Sequence, residues 1–180
     1  MKTALIVIAD GSEELEAVTL VDILRRADVA VTLAGLSAGV LRCSRGVLLT
    51  PDTTLDAVLE HDYDMVVLPG GLPGTTHLRN DVRVLDLVKR MAQRGKYVAA
   101  ICAAPSVLAA AGLLDGKRAT CYPTCLDEFP RVNLQTSAVA EDGKLITSRG
   151  PGTAMDFALT LVERLMGNAK RSEVEAGLQR

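Results

Sequence analysis

No run of basic residues longer than two occurs in this 180-residue chain, and its formal charge of −2 offers nothing for a nucleic-acid backbone to bind. The N-terminal apolar run is short as well. The stretch from Ala4 to Ala9 stops at Asp10, too short for the core of a signal peptide and far too short to cross a bilayer. A cytoplasmic protein that begins directly with a strand is the resulting expectation. Metal-ligand spacing is also lacking: Cys43, Cys102, Cys121 and Cys125 include no C-x-x-C pair, and His61 and His77 form no H-x-x-x-H. No metal and no cofactor is expected, and a chain long enough to bury its own core needs no disulfide staples, so the thiols are read as reduced. There is no internal repeat and no linker, so residues 1–180 read as one domain. Hydrophobic residues at 48% and a mean hydropathy of +0.22 leave no room for a long disordered segment.

The stretch from Tyr97 to Pro105, YVAAICAAP, organises what is present. An apolar run ends at Cys102 and continues through small residues and a proline into the apolar segment 106–111, the pattern of a buried strand turning sharply into a helix. Such a turn lifts its central side chain out of the sheet, as in a nucleophile elbow. A helix N-terminus beside the thiol would stabilise a thiolate. The plainer alternative is an inert buried cysteine, which this residue type often is.

Around that stretch, strands and helices alternate. Ala4–Ala9 reads as a strand buried on both faces, and residues 13–27 as a helix whose Ala17, Leu20, Val21 and Leu24 define the buried side. On this wheel Glu13 and Glu16 project toward the apolar side, while Glu14 lies about 100° away. Glu13 is placed to close a capping box with Asp10. Glu16, one turn inside, either reaches water at the rim or lines a site with a raised pKa. Residues 29–35 form a second strand, 41–50 a hairpin-like excursion carrying Cys43-Ser44-Arg45-Gly46, and 54–60 a short helix. The strand 65–68 runs into Pro69-Gly70-Gly71, a loop whose glycines permit close backbone approach. Loops at the carboxyl ends of parallel strands form the crevice of an open α/β sheet, which places this loop and Cys102 at the same edge. A helix over 81–94, a strand near 118–121, a loop over 122–130 and a hairpin of 136–140 with 145–147 follow. A helix over 153–166 and a polar helical tail over 170–180 complete a doubly wound α/β sandwich.

Four segments, ADGSEELEA at 9–17, VVLPGG at 66–71, AAICAAP at 99–105 and TSRGPGTAMDFAL at 147–159, together resemble the ThiJ/PfpI superfamily, most closely its DJ-one and YajL-like branch, over nearly the whole chain. The resemblance implies a flavodoxin-like fold with a mostly parallel sheet, like the class I glutamine amidotransferases, and a cytosolic homodimer. It implies that Cys102 is a nucleophile, that Glu16 is the protonated carboxyl hydrogen-bonded to its sulfur, and that the amides of Gly71 and Ala103 form an oxyanion pocket. Arg26 and Arg45 match arginines at the mouth of the site near the dimer contact, where they would hold an anionic group or pair with Glu13. Tyr122 stands where some relatives have histidine, leaving proton transfer to Glu16, Tyr122 or water. Ala103 stands where peptidase-like members have histidine, and Asp28 where relatives have glycine, which requires a left-handed aspartate or a reshaped turn.

The activity implied is a cofactor-independent conversion of methylglyoxal or glyoxal to lactate or glycolate, or a deglycase reaction. Its partners would be small reactive aldehydes or glycated amino and thiol groups. The alternative is a redox-sensing or chaperone protein that answers oxidative stress through oxidation of Cys102. An amidase or peptidase is the third reading.

Overall fold

The computed structural model describes residues 1–179. Its first half contains β1 (Thr3–Ile8), α1 (Glu14–Arg26), β2 (Ala30–Gly35), the short pair β3 (Leu41–Arg42) and β4 (Leu48–Leu49), β5 (Thr53–Thr54), α2 (Leu55–Val58) and β6 (Met65–Leu68). Then come α3 (Gly74–Asn80), α4 (Val82–Gln93), β7 (Tyr97–Ile101), α5 (Pro105–Ala110), β8 (Arg118–Ala119) and β9 (Asn133–Leu134). The hairpin β10 (Val139–Asp142) and β11 (Leu145–Ser148), α6 (Ala154–Met166) and α7 (Asn168–Gly177) end the chain. The expected tail is thus helical through Gly177, while Arg180 lies outside the described residues.

The main sheet has the order β10-β11-β7-β6-β1-β2-β5 and is parallel except for the β10–β11 edge. Alternation along β1 sorts the core into two halves. Ala4, Ile6 and Ile8 face α1 and α6, whereas Leu5 and Val7 face α4 and α5. Central strands covered on both faces explain why 4–9, 65–68 and 98–101 are continuously apolar. Each fully buried Leu or Ile contributes roughly 1.5–3 kcal/mol. After β2 the chain crosses back to place β6 on the other side of β1, so the switch in strand order falls between β1 and β6. Their outgoing loops, 9–13 and 69–73, open the crevice there.

Several expectations change in detail. Glu13 is itself the N-cap of α1, its carboxylate accepting the Glu16 amide at 2.9 Å, and Asp10 instead accepts the Arg42 amide at 2.8 Å. The capping box between Glu13 and Asp10 therefore does not form, because Asp10 is drawn to β3. Asp28 adopts the left-handed conformation (φ 59°), as the first of its two alternatives required. The hairpin strand lies at 139–142 rather than 136–140, with its turn at Gly143 (φ 62°). Helix α3 and the two-residue strands β5 and β9 carry too few apolar residues to show a period.

Candidate active site

Cys102 directly follows β7 and has φ 65°, a left-handed conformation that costs a non-glycine residue free energy unless its surroundings hold it. Three backbone bonds hold it. Its amide donates to Ser148 O at 3.0 Å, its carbonyl accepts the Tyr122 amide at 2.8 Å, and the Ala104 amide donates to Ile101 O at 3.0 Å. The helix that follows, α5, has six residues with proline at its first turn, so its dipole is small. The anion-stabilising donors are individual amides instead: those of Gly71 and Ala103 hydrogen-bond the Cys102 sulfur.

Those amides are brought in by glycines that admit no Cβ unless their neighbours move. A Cβ on Gly70 would lie 2.6 Å from the Cys102 Cβ and 2.9 Å from Ile101 O. One on Gly71 (φ 90°) would lie 2.4 Å from the Glu13 amide nitrogen. The 69–71 loop is thereby pressed between the start of α1 and the Cys102 turn. Gly70 also clamps the helix: its carbonyl accepts the Glu13 amide at 2.8 Å, and its own amide donates to Glu16 Oε2 at 2.7 Å.

Glu16 is completely buried. Its second oxygen, Oε1, meets no well-formed hydrogen bond, and the side chain that interacts with this carboxyl is the Cys102 thiol. An ionised oxygen left bare in the interior is costly, whereas a proton on it supplies a donor for the sulfur. Burial pushes Glu16 up to about 7, against the Gly70 amide and the Cys102 contact, which pull it down. Burial, the Glu16 charge and its hydrogen bond push Cys102 up to about 12, against the Gly71 and Ala103 amides. Neither group can ionise fully beside the other, so one proton is shared between them and the first ionisation belongs to the pair. The sulfur has two amide donors and the carboxyl one.

Glu14 shows what helical periodicity missed. It is buried, because the β3–β4 excursion folds over it: Glu14 accepts from the Arg45 amide at 2.9 Å, the Val47 amide at 3.3 Å and Ser44 Oγ at 3.2 Å. Burial alone would raise its pKa, and its own, Arg45 and Val47 amides outweigh that and lower it. Three polar partners in the CSRGV segment were the available signal. Arg45 is thus tied to the site by its backbone, with its side chain exposed. Arg26 pairs with Asp22 at 2.5 Å, which corrects the suggested pairing with Glu13. Ten residues along α1 put it about 15 Å from Glu16, so within one chain it does not reach Cys102. Tyr122 touches the turn through its amide, while its half-exposed ring lies against Gly150.

Residues 2–164 match the DJ-1/PfpI family. The chain belongs to that family. It is 46% identical to the Drosophila melanogaster protein dj-1beta over 182 aligned positions, covering 98% of this chain and 96% of that protein. The crystal structure of Drosophila melanogaster DJ-1beta superposes with a TM-score of 0.96 over 99% of this chain and 97% of the other, at 45% identity. A Toxoplasma gondii DJ-1 structure described as oxidized gives a TM-score of 0.96 at 37% identity, covering 99% and 98% of the two chains. A Caenorhabditis elegans member named glutathione-independent glyoxalase DJR-1.2 is 36% identical over 96% of this chain and 94% of that protein. Within the DJ-1/PfpI family, then, this chain shares its fold with a member that carries a glyoxalase name.

Among the described residues no helix is long and apolar enough to cross a membrane, and no group of three or more His, Cys, Asp or Glu side chains is placed to hold a metal ion.

Proposed function

We propose that this protein is a cofactor-independent glyoxalase acting on methylglyoxal and glyoxal. The observation that carries the reading is the completely buried Glu16 carboxyl, one oxygen of which has no partner, beside a thiol that two amides stabilise. The Cys102 thiolate adds to the aldehyde carbon, and the amides of Gly71 and Ala103 receive the resulting oxyanion. Glu16 protonates that oxygen, then as carboxylate takes the proton from the same carbon and returns it to the neighbouring carbonyl carbon, while the hydroxyl proton on the first carbon passes to the oxygen on the second. A thioester of the hydroxy acid results. Water cleaves it, restoring the thiol and releasing lactate or glycolate, so that one water is consumed per aldehyde.

The same addition to an early adduct of an amine or thiol would release that group, which is the deglycase form of the reaction. Tyr122 and Arg45 line the approach, and Arg26 joins only if a second chain brings it there. A homodimer fits the surface: Leu15, Val18, Val47 and Leu48 are 48–58% exposed on the neighbouring α1 and β3–β4. A groove of about 510 Å³ bordered by Val18, Val21, Leu33 and Leu49 continues that apolar face. Free thiols at all four cysteines suit the reducing cytoplasm.

The test is multiple-turnover lactate formation from methylglyoxal in buffer free of amines and thiols. Wild type should make many equivalents per chain while Cys102→Ser and Glu16→Gln make none above buffer. Production equal to buffer by wild type would refute the reading. A second reading, a redox sensor with chaperone character, is favoured by the same amide donors, which would equally hold a sulfinate on Cys102, and by the relative described as oxidized. A single stoichiometric gain of two oxygens without turnover would select it. For the amidase or peptidase reading a histidine is needed beside the sulfur. His77 instead hydrogen-bonds Asp10 O at 3.0 Å, and His61 lies against Tyr63.

A further inference from the structure

Cys121 and Cys125 lie on the loop that leaves β8, behind the Cys102 turn. The Cys121 sulfur accepts hydrogen bonds from the amides of Cys125 and Leu126. Cys121 immediately precedes Tyr122 and Cys125 ends the 122–125 turn, so the two side chains leave the two ends of one closed turn. The backbone between them is a closed turn, with the Cys125 amide donating to Tyr122 O and the Asp127 amide to Thr124 O, each at 3.1 Å. Thr124 within it has φ 70°, a conformation that a β-branched residue adopts only under restraint. Cys121 is buried and Cys125 is half-buried. Cys125 lines a cleft of about 330 Å³ together with Leu72, Thr75, Ala103 and Ser106. One thiol is therefore open to reagents and the other waits behind it.

We infer that Cys121 and Cys125 form a second, dithiol site that closes to an intrachain disulfide when low-molecular-weight disulfides accumulate. In the first step the Cys125 thiolate attacks one sulfur of the oxidant, forming a mixed disulfide and expelling one small thiol. Cys121 then attacks the Cys125 sulfur, gives up its proton and expels the second small thiol. Two protein thiols are oxidised and one small disulfide is reduced to two thiols.

Closure has a consequence for the neighbouring turn. A covalent S–S separation of about 2.05 Å displaces the Cys121 sulfur from the two amides it now accepts and shifts the 122–126 backbone. The Tyr122 amide, which holds the Cys102 carbonyl at 2.8 Å, belongs to that backbone. The dithiol is thus placed to loosen the turn that carries Cys102, without any chemistry at Cys102 itself.

The test uses the full-length Cys102→Ser variant treated with glutathione disulfide. Intact mass should fall by two hydrogens with no glutathione retained, peptide maps should join residues 121 and 125, and dithiothreitol should reverse both. Adding Cys121→Ser should leave one stable glutathione on Cys125. Wild type should give the same linked peptide, so the outcome does not depend on the folding of one variant. In the oxidised form the Tyr122 amide should exchange with deuterium about tenfold faster. Residues 121 and 125 both remaining free or each carrying glutathione, or a bond to Cys43 or between chains, would overturn the site. Unchanged exchange at Tyr122 would overturn its coupling to the Cys102 turn.

Discussion

Glu16 holds a proton in the folded chain that an unfolded glutamate releases. Its ordinary value of 4.5 is raised to about 7, chiefly by burial. Between those values the native state binds more protons than the unfolded state, so stability falls as pH rises through that window, by up to about 3 kcal/mol. Denaturant titrations from pH 4 upward should show that decline in wild type and not in Glu16→Gln. The same substitution should lower turnover roughly 10²–10⁴-fold by removing the proton carrier. Gly70 is the second residue on which the site depends. Gly70→Ala puts a methyl against the Cys102 Cβ and the Ile101 carbonyl, at a cost of about 1–3 kcal/mol, and alkylation of Cys102 should slow with it. The sequence showed both residues for physical reasons: an acid on a buried helical face and paired glycines after an apolar strand are each costly locally. Glu14 was not legible, because a helical wheel registers the sheet beneath a helix and not a loop folded over its first turn.

Helices and strands were readable in proportion to how much apolar surface each buries. β1, β6 and β7 are covered on both faces, and α1, α4 and α6 each keep one apolar stripe, so their periods stand out. α3 contributes one large buried apolar side chain, Leu78, and starts at a glycine pressed on Ser12, so tertiary contact holds it and no period announces it. The β3–β4 excursion is held by polar groups on the Glu14 carboxylate. Glu14→Ala should cost about 1–2 kcal/mol by leaving those donors without an acceptor. Amide exchange should accelerate over residues 41–49 while β1 and β7 stay protected. Uniform loss of protection across the sheet would show that Glu14 supports the whole fold instead.

For the whole molecule, the family and the fold rest on matched length and superposition, while Leu15, Val18 and Leu48 leave an exposed apolar face that the proposed homodimer would cover. Val18→Glu should convert a dimer to a monomer in sedimentation velocity, and an unaltered sedimentation coefficient would place the contact elsewhere. In the proposed reaction a proton shared by Glu16 and Cys102 joins this fold to its chemistry, and ultraviolet titration of the thiolate tests that directly, with Cys102→Ser as the blank. Charge on sulfur predicts a Cys102 thiolate that appears below the ordinary thiol value of 9.0, with the proton kept on Glu16. A thiolate that appears only toward pH 12, the value the thiol takes beside an ionised Glu16, would mean that the carboxyl carries the charge and that Cys102 is not the nucleophile.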